Sequence, residues 1–481
     1  MKLSSLLRGV KTQDVYEERE VERVTDKDND NLKNALFVCV DGNRVDGHSL
    51  AVNAVKNGAV AVITSRDLGI NEQIIVEDTR CAFSIIASNI YDNPSQKLKI
   101  IGITGTNGKT STCFFIKSIL ESLGKKCGLI GTVENSWGNT KNQSILTTPE
   151  PMELNKLFSE MVKDGCEYCV MEVSSQALCQ KRVHGINFCA SAITNITPEH
   201  LDYHGSMENY INAKLELFNQ SDFACVNIDD ELISENADRI NCPVYSYSTI
   251  DNKANYTAKN VICNENGIRY EFVGFDFINR VESSLFGKFT VYNTLCAISV
   301  LINLGFDIDK ITKAIEDISF VKGRCEIVPV PRKYTVIIDY AHTPDGLRNI
   351  LSAVREITSG RIILVFGCGG DRDKLKRPEM GKIAGELSNI AVVTSDNPRN
   401  ENPLLIINDI LCGMEKSKAK IAVIENRRQA IEFALSKAKK GDIVLLAGKG
   451  HETYQIIGNS KIPFDERDII KEYFNNELKS N

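Results

Sequence analysis

The sequence predicts an α/β protein, built from parallel sheets covered by helices and divided among several domains. Three observations predict it. Short β-rich runs alternate with helical stretches almost throughout the chain. A glycine-rich loop ending in Lys-Thr lies between one such run and a helical stretch. Polar or glycine-rich segments recur directly after the β-rich runs, where open α/β sheets collect their ligands. At 481 residues the chain exceeds what one hydrophobic core holds; roughly two to four domains are expected.

The elements follow in order. Residues 35–40 (ALFVCV), 59–65 (AVAVITS) and 73–77 (QIIVE) read as strands of a small first unit, closed by the polar break Asp92-Asn93-Pro94-Ser95-Gln96. The second unit opens with the buried-strand run 99–104 (KIIGIT). A helix follows, with Ile116, Ile119, Leu120 and Leu123 on one face and Gly124 as its stop. Runs 167–173, 190–195 and 223–228 read as further strands. A β-rich stretch spans about 243–285, and a helix carrying Leu295, Ile298 and Leu301 precedes Gly305. The third unit is the most regular: strands 335–340, 361–367, 390–395, 420–425 and 442–447 alternate with helical segments.

Composition narrows the function classes. The chain is 42% hydrophobic and 25% charged, which is globular rather than disordered. A formal net charge of −6 argues against a broad nucleic-acid surface but not against a local phosphate pocket. No apolar run approaches the roughly 18 residues that a membrane span needs. The opening MKLSSLLRGV has too short an apolar stretch for a signal peptide. A cytoplasmic protein without nucleic-acid or membrane partners is expected. The 15 cysteines are scattered, and the one C-x-x-C, Cys166 and Cys169, has no second half for a zinc site, so buried thiols are expected.

The chemistry is concentrated in a few segments. Gly105-Thr106-Asn107-Gly108-Lys109-Thr110-Ser111 sits where a phosphate loop belongs. Backbone N–H groups and a helix N-terminus face the anion, Lys109 neutralises its charge, and Thr110 can ligate Mg²⁺. The strict G-x-x-x-x-G-K-[ST] pattern fails by one residue, because Ile103 stands where the first glycine belongs. A glycine turn capping a helix is the plainer alternative. Glu172 closes one apolar run, and His200 and Asp202 follow another, positions suited to Mg²⁺ at a nucleotide's phosphates. The third unit repeats the logic with Asp339–Asp345, Gly367–Asp373, Asp396–Arg399 and Gly448–Glu452. Arg372, Arg399 and Glu452 together suit a zwitterion, the guanidinium forks taking carboxylates and the glutamate an ammonium.

With these motifs in hand, the chain resembles the Mur ligase family over nearly its whole length. The resemblance rests on TGTNGKT (104–110), TTPEP (147–151), EVSSQAL (172–178), NITPEHLDYHGSMENYINAKLELF (195–218), GRCE (323–326), DYAHTPDG (339–346), GCGGDRDKLKRPEMG (367–381), DNPR (396–399) and GKGHETYQ (448–455). The family's T-G-T-x-G-K-T variant explains the displaced glycine. The resemblance implies a three-domain architecture: a UDP-binding domain at 1–97, a central P-loop ATPase domain at 98–328 and a Rossmann-like, amino-acid-binding domain at 329–481. It implies ATP-dependent addition of an amino acid to UDP-MurNAc-L-Ala-D-Glu through an acyl phosphate in peptidoglycan precursor synthesis; a monomer is expected.

The implied site residues follow the motifs. Lys109, Lys214, His200, Glu172 and Arg324 are the catalytic set. Lys214 is implied to be carbamylated and, with Thr110, Glu172 and His200, to hold Mg²⁺; read without the resemblance, Lys214 is a surface lysine on a helix. Asn293, Arg324, Asp339 and His342 would join residues 105–111 around ATP. Asn43, Arg44 and Val45, with Thr147, Thr148, Ser174, Gln180 and Arg182, would meet the UDP-sugar dipeptide. Arg372, Asp396, Asn397, Pro398, Arg399, Gly448 and Glu452 would hold the incoming amino acid. Arg399 points to meso-diaminopimelate, whose far carboxylate pairs with a guanidinium, over lysine, which would leave that guanidinium unpaired.

The chain departs from the family pattern at Lys27-Asp28-Asn29, where a serine that meets uridine is usual, at Gln176, where histidine is common, and at Lys322, where proline is usual. The first departure leaves open a ligase for another amino acid or carboxylate carrier. A non-catalytic scaffold is the third reading, opposed by intact Lys109, Lys214 and His200.

Overall fold

The computed structural model describes residues 1–13, 16–42 and 45–480, with side chains described as far as 476. Among these, the strands form a four-stranded, an eleven-stranded and a six-stranded sheet, plus a separate hairpin.

The first sheet is parallel throughout, with Arg23–Thr25, Ala35–Val38, Ala61–Thr64 and Gln73–Ile75 in sequence order. Helix Thr79–Ile90 packs on it through Ala82, Phe83 and Ile86, and starts where the Asp78 carboxylate accepts the Arg80 and Cys81 N–H groups.

In the second sheet a parallel centre holds Lys99–Thr104 between Phe188–Ile193 and Tyr168–Glu172. Gly102 is obligatory there: a Cβ would lie 2.7 Å from the Phe188 ring. Helix Lys109–Ser122 buries Cys113, Ile116, Ile119 and Leu120, and Gly124 in the left-handed region (φ +77°) ends it. Beside it lies helix Lys288–Asn303, apolar almost all round and buried accordingly. The sheet departs from the expected all-parallel form at both flanks. Cys127–Ile130, Glu134–Trp137 and Thr140–Gln143 run antiparallel in turn. At the other flank the 243–285 stretch ends in the meander Tyr256–Asn264, Gly267–Val273 and Ile278–Ser283. Antiparallel flanks tolerate one solvated face, so no continuous apolar run advertises them.

The third sheet has the order Glu326–Val328, Thr335–Asp339, Ile443–Ala447, Ile362–Phe366, Ile390–Val393 and Lys420–Val423, parallel except for its first strand. Apolar clusters cover both faces, Ile337, Leu364 and Leu445 on one and Val336, Ile363 and Val444 on the other. The carboxyl ends of its strands release the loops 339–345, 367–373, 394–401 and 448–452, and the first of them meets the phosphate loop, where the Asn107 amide donates to Asp345 (2.9 Å).

Candidate active site

The phosphate loop is stapled in place by the segment that follows strand Phe188–Ile193. Asn195 accepts the Asn107 N–H (2.8 Å), and Thr194 Oγ1 and Asn195 Nδ2 donate to the Asn107 carbonyl (2.6 and 3.0 Å). The Thr106 hydroxyl lies 3.0 Å from that of Tyr210, and its N–H donates to Asn195 O. Gly105 (φ +135°) and Gly108 (φ +87°) take conformations that L residues rarely adopt, and a Cβ on Gly105 would meet Thr194 at 2.0 Å. The Lys109 ammonium bonds back to the Gly105 and Thr106 carbonyls, 2.8 Å each. Burial lowers its pKa, opposed by the Glu199 and Glu172 charges. The loop thus leads into the N-terminus of helix Lys109–Ser122 with a cation already in the cradle.

Next to the loop lies a cavity of about 550 Å³. It brings together Asn107, Gly108, Ser111, Asn293, Arg324, Asp339 and His342, with Phe286, Phe289 and Tyr292 as apolar wall. Its size and mixed lining suit a nucleotide.

Glu172 is the hub beneath the loop. It accepts from Thr110 Oγ1 (3.0 Å), from the Thr132 N–H (2.7 Å) and from the Thr132 hydroxyl (3.1 Å). Arg324 donates to the same Thr110 oxygen at 3.0 Å. A carboxylate and a hydroxyl in contact, both buried, are a donor set that suits a hard, oxygen-preferring cation.

Lys214 corrects the reading of it as a surface lysine. Only 1% of it is exposed; its amine donates to Gly105 O (2.8 Å) and lies over the Tyr210 ring. Burial first, and the Lys109 charge second, hold its pKa well below the usual lysine range. His200 adopts φ +56° at the start of a short helix; its side chain is partly exposed, and the Glu199, Lys109 and Lys214 charges bear on it.

One central residue escaped the sequence reading: Glu199, which adjoins His200 within the quoted EHLDYH motif. Its carboxylate stands 3.8 Å from His200 Nε2 and 3.5 Å from His342 Nε2. Burial alone would raise its pKa, but the His342 hydrogen bond and the His200, His342 and Lys109 charges outweigh that and hold it well below the carboxylate range.

The residues expected around the sugar-peptide form a chain of contacts. Thr147 and Thr132 hydroxyls are 3.0 Å apart, Thr148 Oγ1 donates to Glu172 O (2.9 Å) and accepts the Ser174 N–H (3.0 Å), and Arg182 reaches Thr148 O (2.9 Å) and Glu150 (2.7 Å). Gln180 accepts from Arg182 Nε (3.0 Å) and donates to Tyr203 (3.2 Å). Asn43 and Arg44 lie outside the described residues. Val45 is exposed at the edge of the first sheet's domain, and Asp26 and Lys27 lie close enough to Glu150 to bear on its charge.

At the third sheet's edge, Asn397 donates to Glu452 (2.9 Å), and a second unforeseen residue, Lys449, joins them. Fully buried, its ammonium bonds Asn397 Oδ1 (3.0 Å) and Glu452 (2.9 Å) and stands 3.4 Å from Asp396. It lay inside the GKGHETYQ motif without a signal separating it from its neighbours. Gly448 (φ +112°) passes so close to Asp396 that a Cβ would lie 2.6 Å from its carboxylate. Arg399, also in the left-handed region (φ +51°), donates to Gly370 O (2.8 Å), and no carboxylate lies within ion-pair distance of it among the described residues. Burial and the neighbouring Arg372 lower its pKa, a cost that an incoming anion would relieve. Pro398 sets the turn: its carbonyl lies so near Gly370 that a Cβ there would come within 1.9 Å.

Comparison with known proteins gives the following. Three family profiles match: the Mur ligase family catalytic domain at residues 32–100, the Mur ligase middle domain at 103–301, and the Mur ligase glutamate ligase domain at 323–450. A UDP-N-acetylmuramoyl-L-alanyl-D-glutamate–2,6-diaminopimelate ligase of Clostridium perfringens is 46% identical over 98% of this chain and 99% of its own. A protein of the same name from Caldanaerobacter subterraneus subsp. tengcongensis is 47% identical over 91% of each. A solved structure of that name aligns with a TM-score of 0.66 at 30% identity over 93% of each chain. The MurF structure from Acinetobacter baumannii aligns at 0.63 with 18% identity, a likeness of fold.

Proposed function

The chain belongs to the Mur ligase family, and from that premise we propose that it joins meso-diaminopimelate to the D-glutamate of UDP-MurNAc-L-Ala-D-Glu at the expense of ATP. The observation that carries the acceptor is Arg399, a partly buried guanidinium with no acid partner among the described residues, beside Asn397 and Glu452.

The chemistry follows from what a carboxylate is. It is a poor electrophile because expelling oxide from it is prohibitive, so it must first be activated. Its oxygen takes the terminal phosphoryl group of ATP, giving an acyl phosphate and ADP. The neutral amine of the amino acid then adds to the acyl carbon and phosphate leaves. Both early reactants are anions and repel; Lys109, on the phosphate-loop carbonyls, and Arg324, on Thr110, supply the charge that holds them together. Glu452 and Asn397 hold the acceptor's distal ammonium, and Arg399, with Arg372, holds its distal carboxylate.

Mg²⁺ fits the oxygen donors of this site: Thr110 and Glu172 would hold one ion, and His200 with Lys214, as its carbamate, a second. Bound there, the ions would offset phosphate charge and orient the oxygens. Lys214 suits carbamylation because its buried amine favours the neutral form, which can attack CO₂ and lose a proton to become an anionic ligand. In this reading residues 1–97 bind the uridine nucleotide, 98–328 bind ATP and 329–481 bind the amino acid. No helix among the described residues is long and apolar enough to cross a membrane; we read the protein as a cytoplasmic monomer acting on small molecules.

The test supplies purified protein with the UDP-sugar dipeptide, ATP, Mg²⁺ and diaminopimelate, lysine or ornithine, following phosphate release. Release with diaminopimelate alone is expected, and Arg399→Ala should raise the diaminopimelate KM at least about tenfold, as the loss of one charge-assisted fork implies, with the ATP KM little changed. Preference for lysine, or equal effects on both KM values, would overturn the acceptor assignment.

A further inference from the structure

Arg324 is held in an unusual way. Its Nε is buried without a partner, and one hydrogen bond runs from its guanidinium to Thr110. Two further features support it: its guanidinium carbon lies 4.6 Å from the centre of the Tyr340 ring, and its charge bears on the buried Asp339 carboxylate, opposing the rise in pKa that burial causes there. That ring is itself in contact with His342, 4.6 Å away, and His451, 4.9 Å away, both tilted against it. His451 is a neutral ring, since burial and the Arg324 and Arg467 charges push its pKa down to about 3, so it adds no positive charge against the arginine.

The backbone repeats this registration. Asp339 accepts the Cys325 N–H (2.8 Å) with one oxygen and the Ala341 N–H (2.8 Å) with the other. One carboxylate thus ties down the residue after Arg324 and the residue after Tyr340. Gly323 passes so close to the 448–452 loop that a Cβ would lie 2.1 Å from His451 N. Glu326 accepts the Gly323 N–H (2.6 Å) and pairs with Arg467 of the last helix. Strand Glu326–Val328 completes the third sheet. Every attachment of residues 323–328 just named, apart from the Thr110 contact, is to the third sheet's domain.

We propose that Tyr340 is a positioning residue of the reaction: its ring face mounts the Arg324 guanidinium on the amino-acid-binding domain and aims it at the phosphate loop. This rests on the reading of Arg324 given above. It explains why an arginine serving the nucleotide sits outside the nucleotide's own sheet: the cation arrives at the phosphates with the domain that brings the acceptor. ATP then meets its full complement of charge only when the two domains meet. The rival role for an aromatic ring in this cavity is to stack on the nucleotide base.

The two roles split in kinetics. Turnover is measured on the full-length enzyme, with whichever acceptor the wild type uses, so that an error in the acceptor assignment leaves this comparison intact. Tyr340→Phe, which keeps the ring, should stay within about twofold of wild type, and Tyr340→Leu should lower kcat about tenfold or more, the span of a desolvated cation–π contact, with the ATP KM nearly unchanged. In an Arg324→Gln background, Tyr340→Leu should cost little more, because no cation remains for the ring to position. Phenylalanines of increasing ring fluorination at 340 preserve shape while draining the face of negative charge, and log kcat should fall stepwise with them. A rise in ATP KM at constant kcat, equal losses in both backgrounds, or a flat fluorination series would each overturn the proposal.

Discussion

Lys214 lies on helix Met207–Leu215, where sequence spacing alone assigns it to solvent, yet 1% of it is exposed and its amine bonds a phosphate-loop carbonyl. A buried ammonium of this kind is costly unless it pairs or loses its proton. No carboxylate lies within ion-pair distance of it among the described residues, and its pKa falls well below the usual lysine range. That is the state a carbamate requires as its precursor. Lys214→Ala should abolish turnover, and bicarbonate should not restore it, because the anion must be tethered to serve. Wild-type turnover in that variant, followed by phosphate release, would exclude the carbamate. The family resemblance reversed the solvent reading for this residue; nothing in the local sequence could have done so.

The two loops that would grip the amino acid, 367–373 and 396–401, owe their shape to a residue that touches no proposed ligand. Arg377, 1% exposed on helix Lys376–Leu387, forks onto Glu401 (3.0 and 2.8 Å), reaches Asp409 (2.9 Å) and donates to Gly369 O (3.3 Å). Glu401 also accepts the Asp371 N–H (2.6 Å), so one ion pair spans both loops. The Arg377 hydrogen bond is the main reason that the Glu401 pKa falls from its ordinary 4.5 to about 2. A carboxylate depressed on folding stabilises above its unfolded pKa and loses that contribution as pH falls through the folded one. Stability should therefore decline between pH 4.5 and about 2, and Glu401→Gln should flatten that limb in urea titrations across this range. An unchanged slope would show that the pair contributes nothing. The loops' positions after strands were legible in the sequence. Their mutual tie was not, because Arg377 and Glu401 are 24 residues apart and each reads alone as a surface charge.

At the scale of the whole molecule, polar contacts that join the domains include Asn107 with Asp345, Arg324 with Thr110, Glu199 with His342 (3.5 Å), and Ser84 with the Lys181 carbonyl (2.6 Å). The residues proposed for ATP and for the amino acid lie on different domains, so the proposed reaction predicts closure during turnover. The linker before strand Glu326–Val328 decides which parts move together. Gly323 holds φ +70° with its Cα against the 448–452 loop. Gly323→Ala should cost about 1–3 kcal/mol from backbone strain alone, more from the collision with His451, and should lower kcat by displacing Arg324. Denaturation of the full chain and steady-state kinetics check both; a neutral variant would mean that the linker is not clamped.

By itself the sequence determined the strand–helix alternation, the phosphate loop and the polar segments after each strand, because burial periodicity and glycine-dependent turns are local properties of the chain. It also carried the family motifs, and so the chemistry. Three things waited for the tertiary structure: that Lys214 is buried, that Glu199 sits between two histidines from different domains, and that the segment after Arg324 is tied to the third sheet. Each depends on which distant segments pack together. Burial, the charge state of a group and the body on which it is mounted are set by those neighbours, and no window of contiguous residues contains them.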